Sequence, residues 1–576
     1  MARQREPASL QALCVRQVSG ALAAVCRRLQ DSQALPAALA EARRLRGWLC
    51  AQLAGPVRTL LLEDTVRQLA EPLLAVALLL GPDVPRLRAH LCCYYGCRGQ
   101  SELLRLLAER GAGLRELELT RPSLLRLDLA RLTAALGQMS RLRELRLAKV
   151  ACDGVLEAVG GSCPLLALLD VRGSRLVTDA GVRSLLVQRA HITDKLICDD
   201  FPPKAKGRSR GLLGWLRRKR KSVGKGAGKQ PPLLLLLREE ESPLCASLRQ
   251  LLLDNTAVTA AGAVMALRHA PRLRSLGALP LPLTHAGLPT MPQLPLALTE
   301  ATLVRPSISQ IAAVTDACPH IQRLRLVQPR IMNTASADLT RVLSKLPLHE
   351  LQLRFYHSNA AMSDFYTYRD PTIDGRRSPC HIEDLAGDTT VLAASLNGAP
   401  ELYKLSVHFS WNAEPPVVDL AYIFITCPLL RTLCIEGASV RWTDSNKKVP
   451  LSLDIITAQL GSDVSENAVS QLLLHASQLQ CLHAHRCPDL RLTSLPPAPA
   501  LRCLFLNEAP NIKVETLQTI LSSWRNLERL GNMSGFKLDR KLENSLSIKA
   551  KDAQVEVLSA HHSTSEDCIF KDSTNN

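Results

Sequence analysis

The chain of 576 residues is longer than one compact core serves, so it divides into domains or extends as a repeat array. Hydrophobic residues make up 46% of it but aromatics only 3%, which argues against a large globular enzyme and for narrow, repeated cores filled by Leu, Val, Ile and Ala. The formal charge of +18 is concentrated between Lys204 and Lys229, where eleven Lys and Arg stand without one acid, so no chain-wide basic surface suited to nucleic acid is indicated.

In chain order, Met1 to Pro7 leads into a stretch punctuated by Arg16, Arg27 and Arg28, which is no secretory signal. The 18 cysteines are therefore read as reduced thiols of cytosol or nucleus. A helical N-terminal cap is predicted over residues 8–52. Within it Ser9-Leu10, Cys14 and Val18 follow the order small residue, Leu, three others, Cys, three others, aliphatic. On a helix positions 10, 14 and 18 form one stripe, while Leu13, Leu22 and Val25 add a second apolar edge able to pack the helix on its own domain. Downstream, Leu35-Pro36-Ala-Ala-Leu39 places an aliphatic-Pro pair at the start of a second helix.

This order of elements resembles a VHL-type box, a BC box followed by a cullin-2 box, as in the zyg-eleven-like receptors of cullin-2 ubiquitin ligases. The resemblance implies Leu10, Cys14 and Val18 as contacts to Elongin C, in its pair with Elongin B, and Leu35, Pro36 and Leu39 as contacts to cullin-2. The chain departs from that family in having no clear C-terminal armadillo array. Two other readings stay open. Val25-Cys26-Arg27-Arg28 resembles the VCRxW end of an F-box, which would imply Skp and cullin-1, although the Leu-Pro element follows it here and Leu29 stands where Trp would. The alternative of another class is a plain interaction scaffold whose first helix only caps the repeats.

Repeats are predicted over residues 55–200 and 243–540. The longest apolar run, Pro72 to Gly81, is about half the length of a membrane span. His90, Cys92, Cys93 and Cys97 lack the second ligand cluster of a structural zinc site, so no metal is expected.

One phrase then recurs: apolar, two variable, apolar, one variable, apolar. It is read at Leu114/Leu117/Leu119, Leu142/Leu145/Leu147, Leu166/Leu169/Val171, Leu248/Leu251/Leu253 and Leu273/Leu276/Ala278. It continues at Ile321/Leu324/Leu326, Leu348/Leu351/Leu353, Leu402/Leu405/Val407, Leu430/Leu433/Ile435, Leu479/Leu482/Ala484, Leu501/Leu504/Leu506 and Leu527/Leu530/Asn532. Uninterrupted neighbours start 22 to 28 residues apart, the length of a strand, a helix and two turns. The last two apolar positions alternate as in a strand, so residues such as Glu118 face the opposite side of a parallel sheet.

Thr178-Asp-Ala-Gly181, Thr259-Ala-Ala-Gly262 and Thr284-His-Ala-Gly287 offer helix N-caps. Cys163-Pro164, Cys318-Pro319, Cys427-Pro428, Ala270-Pro271 and Ala399-Pro400 should end helices before the next strand. The CPxLxxL phrase with a TDxG element resembles the cysteine-containing class of leucine-rich repeats, over roughly residues 55 to 535. That resemblance implies an α/β leucine-rich-repeat solenoid, a horseshoe whose concave face holds a target protein.

From Phe201 to Ser242 the Leu spacing gives way to Pro, Gly, Lys and Arg, and a disordered basic insertion is predicted. Arg217, Arg218, Lys219, Arg220 and Lys221 are a candidate nuclear import signal or simply a solvated loop. The run GLLGWLRRKRK has too thin an apolar face for a membrane surface. A phosphate loop at Gly224 to Lys229 is set aside, because Val223 and Gln230 stand where Gly and Ser or Thr are needed. A second interruption, Tyr356 to Asp388, gathers Tyr356, Phe365, Tyr366 and Tyr368, and loops of that kind carry recognition or cover a strand end. A disordered tail is predicted over 545–576, with His561-His562 solvated within it. With no catalytic arrangement and no cofactor motif, the sequence reads as a non-catalytic target receptor of cytoplasm or nucleus.

Overall fold

The computed structural model describes residues 10–32, 34–69, 72–90, 96–120, 128–189, 239–279, 295–356, 387–410, 415–443, 449–450, 452–461, 463–488, 490–491, 498–531, 540–553 and 555–557. Four helices come first: α1 (Leu10–Ser32), α2 (Leu35–Gln52), α3 (Gly55–Gln68) and α4 (Leu73–Leu79). α1 packs on α3 and α2 on α4, and every residue of α4 is buried. The run from Pro72 to Gly81 is thus the centre of a helical layer. The expectation that repeats begin at residue 55 is corrected, because the first strand starts only at Arg86. Leu61, Leu62, Thr65 and Val66 are buried at helical spacing, and Pro56 occupies the first turn of α3, where its missing N–H costs nothing.

The strands follow as β1 (Arg86–His90), β2 (Glu116–Thr120), β3 (Glu144–Arg146), β4 (Leu168–Asp170), β5 (Val187–Arg189), β6 (Glu239–Glu241) and β7 (Gln250–Leu252). Next come β8 (Ala278–Leu279), β9 (Glu300–Val304), β10 (Arg323–Val327), β11 (Glu350–Phe355), β12 (Lys404–Phe409), β13 (Val417–Asp419) and β14 (Thr432–Glu436). The last are β15 (Ser439–Arg441), β16 (Thr457–Leu460), β17 (Asp463–Val464), β18 (Cys481–His485), β19 (Cys503–Asn507), β20 (Arg529–Gly531) and β21 (Glu556–Val557).

Strands β1, β2, β3, β4 and β7 form one parallel sheet, and β8 to β12, β14, β16 and β18 to β21 form another in chain order. A parallel bridge between Gln250 and Ser275 carries the ladder from one to the other. A smaller parallel sheet, β13 with β15 and β17, lies at the start of the helical halves.

All twelve predicted phrases coincide with strands, and their described apolar positions are buried. Three more phrases went unread: Val84/Leu87/Ala89 at β1, Leu298/Ala301/Leu303 at β9 and Ile455/Ala458/Leu460 at β16, all buried. The tail expectation is also corrected. A helix at Arg540–Asp552 buries Leu546 and Ala550 one turn apart, and β21 extends the sheet, so residues up to 557 belong to the fold. At the end of the predicted insertion Glu239–Glu241 form β6, which pairs antiparallel with β5, while residues 201–238 lie outside the described residues. Tyr356 is buried at the end of β11 and Asp388 opens a helix, so neither belongs to the second interruption.

The TDxG element latches one repeat to the next. Thr178 caps the helix Asp179–Leu186 by accepting from Ala180 N–H at 3.2 Å, and Thr259 does the same for Ala261 at 3.2 Å. Asp153, at the start of the preceding helix, accepts from Thr178 N–H and from its hydroxyl, both at 2.7 Å. Asp179 holds Thr259 in the same way. A Cβ on Gly181 would come within 2.2 Å of Asp153 Oδ1, so the Gly makes room for the carboxylate of the repeat before. Thr284 lies outside the described residues.

The CP cysteines close the helices they follow, since Cys163, Cys318 and Cys427 are C-caps. Cys163 Sγ reaches Met139 O at 3.6 Å and Cys427 Sγ reaches Ala399 O at 3.5 Å, so the thiols tie adjacent repeats from within the core. Burial pushes all three thiols up to about 12.

Candidate protein-docking surfaces

Two surfaces stand apart from this core. The first is the outer edge of α1. Its inward stripe buries Ser19, Ala23, Cys26 and Leu29, and Val15, Leu22 and Val25 pack alongside. Ser19 donates to Asp64 of α3 and receives Gln68 Nε2 at 3.1 Å, which fixes the rotation of α1 about its axis. Burial pushes the Cys26 thiol up to about 11. On the other side Leu10 is 77% exposed, Leu13 50% and Val18 44%, with Cys14 exposed beside them. The predicted stripe of 10, 14 and 18 is therefore outward. Leu22 and Val25 pack inward as expected, but Leu13 does not, because a residue three after Leu10 shares its face.

α2 divides the second predicted trio. Pro36 is exposed in the first turn, Leu35 is half-buried against the core, and Leu39 is buried. Leu39 therefore anchors α2 and is not presented to a partner. The outward side of α2 carries Ala37, Ala40, Arg44 and an exposed Trp48, which the five-residue motif gave no reason to single out.

The second surface is the polar face of the sheet, where every residue between the last two apolar positions of a phrase emerges. Charges on it are balanced across neighbouring strands: in the outer row Arg323 with Glu300 and Lys404 with Glu350 at 2.9 Å, and in the next row Arg88 with Glu118 at 3.4 Å. Such exposed pairs contribute little each. Further in, Asp170 holds Arg172 at 2.7 Å and raises its pKa above the usual guanidinium range. Burial raises Asp254, which accepts from Ala278 N–H at 2.7 Å. Arg325 is pushed down to about 10, first by burial and next by the nearby Arg354.

Beyond β12 the face turns to imidazole and carboxylate. His408 Nδ1 lies 2.7 Å from Glu436, and that contact holds the Glu436 carboxyl below its usual range. Gln459 donates to the other carboxylate oxygen at 3.0 Å. His483 packs on Phe505 with ring centroids 4.3 Å apart, and burial pushes it down to about 4.

In eight of the described repeats the residue seven places after the start of a phrase takes a left-handed backbone, whereas Phe355 and Phe409 at the same place remain in their strands. Gly173 and Gly437 stand there at no steric cost, and a Cβ on Gly437 would lie 1.9 Å from Phe409 O. Lys149, Asn255, Arg305, Gln328, Arg486 and Glu508 adopt it with side chains. All six lie beside the polar face.

Arg217 to Lys221, the Gly224 to Lys229 segment, Cys92 and Cys93 lie outside the described residues. Among the described residues no group of His, Cys, Asp and Glu is arranged to hold a metal ion. No described helix is long and apolar enough to cross a membrane.

No family model and no curated protein matches the chain. Among solved structures, a leucine-rich-repeat protein of Leptospira interrogans is 12% identical, with 85% of this chain and 93% of that one covered at a TM-score of 0.29. The complex of Rad7 and Elc1 in yeast is 13% identical, with 50% and 77% covered at a TM-score of 0.25. At these scores neither likeness bears on fold or function, which rest on the geometry above.

Proposed function

We propose that this chain is a non-catalytic target-recognition subunit of a ubiquitin ligase of the Elongin B/C and cullin-2 type. On this reading its leucine-rich repeats form a horseshoe solenoid, α1 to α4 close the N-terminal end, and the polar sheet face holds the target. The observation that carries the docking reading is the outward stripe of α1. Leu10, Leu13 and Val18 remain in water while Cys26 and Leu29 of the opposite stripe are buried. A helix that only capped the repeats would have no use for large aliphatic side chains on its solvent edge, whereas a helix laid into a partner's groove uses anchors at this spacing. Pro36 is the exposed member of the second trio and would face the cullin. Arg217 to Lys221 would serve import, so that the chain works in cytoplasm and nucleus.

The test is reconstitution. Purified Elongin B/C mixed with the full chain should co-elute with it on size exclusion, and cullin-2 should join that complex. Binding of a Skp-type adaptor in place of Elongin C would move the chain to the cullin-1 class. Binding of neither would leave a scaffold with no ligase attached.

A further inference from the structure

We infer that Cys481 and Cys503 form a modification site, a dithiol that a hydroperoxide closes into a reversible disulfide between neighbouring repeats. The inference stands apart from what α1 or the sheet face binds. The register sets Cys481 of β18 directly opposite Cys503 of β19, and both side chains point to the polar face, since Leu482 and Leu504 after them are buried. Parallel strands lie about 4.8 Å apart, inside the range of about 4.4 to 6.8 Å between Cα atoms that a disulfide bridges. Both thiols are half-buried, so a small oxidant reaches them. The cysteines of the CP phrases, by contrast, are sealed in the core. In the same row Thr457 flanks Cys481 and Arg529 flanks Cys503. Neither supplies a further soft ligand, so the pair is fitted to oxidation and not to a metal ion.

The surroundings divide the work between the two thiols. A hydrogen bond from Cys481 comes first in holding the Cys503 thiol below its usual range, against its burial, and Arg529 adds to it. Cys503 is therefore the attacking thiol and Cys481 the resolving one. The Cys503 thiolate attacks one oxygen of hydrogen peroxide and the O–O bond breaks. The departing hydroxide leaves as water with the proton that Cys503 gave up. The Cys481 sulfur then attacks the sulfur of the Cys503 sulfenic acid, the S–O bond breaks, and the Cys481 proton leaves with the hydroxide as a second water. Two thiols lose two electrons in all, and one peroxide gains them. Closing the bond draws the Cβ atoms from about 4.8 Å toward roughly 3.8 Å, which leaves the disulfide strained and readily reduced by a dithiol. The link closes a loop from residue 481 to residue 503 and so opposes separation of the two repeats.

The experiment treats the reduced full chain with equimolar hydrogen peroxide at neutral pH, blocks the remaining thiols with N-ethylmaleimide in denaturant, and reads the tryptic digest by mass spectrometry. Trypsin parts Cys481, Cys487 and Cys503 into residues 449–486, 487–491 and 503–513. The first and third peptides should appear linked, lighter by two hydrogens than the reduced pair, and dithiothreitol should return both. Cys487, buried and pushed up to about 12, should stay a thiol. In Cys481→Ser, dimedone should trap Cys503 as its sulfenic acid, whereas in Cys503→Ser the Cys481 thiol should persist. Melting temperatures of both variants are measured in parallel, and the result on the parent chain needs neither of them. Absence of the linked pair while Cys14 is oxidised, a link of either thiol to Cys487, a link found only between two chains on a non-reducing gel, or equal linking in the urea-unfolded chain would overturn the inference.

Discussion

Replacing Leu10 by Ser separates a docking edge from a cap. Leu10 is 77% exposed, so the folded chain already leaves most of it in water, and its removal should alter stability by no more than about 0.5 kcal/mol. Buried in a partner's pocket, the same side chain is worth roughly 1.5 to 3 kcal/mol. At about 1.4 kcal/mol per factor of ten, Leu10→Ser should weaken Elongin B/C binding by about tenfold to a hundredfold. Leu29 on the opposite stripe is 9% exposed, and truncating a core Leu costs about 2 to 5 kcal/mol, so Leu29→Ser should lower the melting temperature instead. Titration calorimetry against purified Elongin B/C, with thermal melts of each variant, reads both effects. If Leu10→Ser melts as early as Leu29→Ser, or binds as tightly as the parent, the outer stripe is no anchor and the ligase reading falls with it.

Asp153→Ala removes both hydrogen bonds to Thr178 and the acid at the start of its own helix, a loss of about 2 to 4 kcal/mol between those repeats. Hydrogen exchange read by mass spectrometry should show residues 179–186 at least about thirtyfold less protected, and unchanged protection would rule out the latch. His483 is held neutral by burial with its pKa near 4 against 6.5 unfolded, so the unfolded chain takes up the proton first. Its contribution is complete above the unfolded value and is lost as pH falls from there toward about 4. Denaturant midpoints should show the parent losing roughly 2 kcal/mol between about pH 7 and about pH 5, and His483→Gln should flatten that slope. Peptide-level maleimide mapping at neutral pH should find Cys14 reactive and Cys163, Cys318 and Cys427 inert, with Elongin B/C protecting Cys14; labelling of Cys14 that the partner leaves unchanged would place the contact elsewhere.

The strand register was legible because it is written in volume. A Leu three residues before another, with a third two later, fits only a pleated strand that is packed on one side. The phrases at β9 and β16 escaped because Ala301 and Ala458 stand at the middle apolar position, where all twelve phrases that were read have Leu, while Ala89 at β1 stands where Ala278 and Ala484 do in phrases that were read. The C-terminal helix escaped for a related reason, since Leu546, Ala550 and Val555 are sparse among Lys and Asp. Leu39 was misplaced because a Leu-Pro pair fixes only where a helix begins. Which side turns inward is set by packing on α4, far outside the motif. The residues of the polar face were legible singly, each lying between two apolar positions, but Asp254, Arg325 and Arg354 become neighbours only when the strand order across the insertions is known.

The two proposed surfaces are far enough apart to be occupied together. From β1, against which α3 packs, to β10 the sheet advances through β2, β3, β4, β7, β8 and β9. Parallel strands stand about 4.8 Å apart, so the path along the sheet from the helical layer to Arg325 is roughly 35 Å. That exceeds the Debye length of about 8 Å at physiological salt, so Arg325 and the α1 stripe do not sense each other through solvent. On the proposed reading the ladder of repeats would act as a spacer, setting the distance between a protein docked on α1 and a target held on the sheet face.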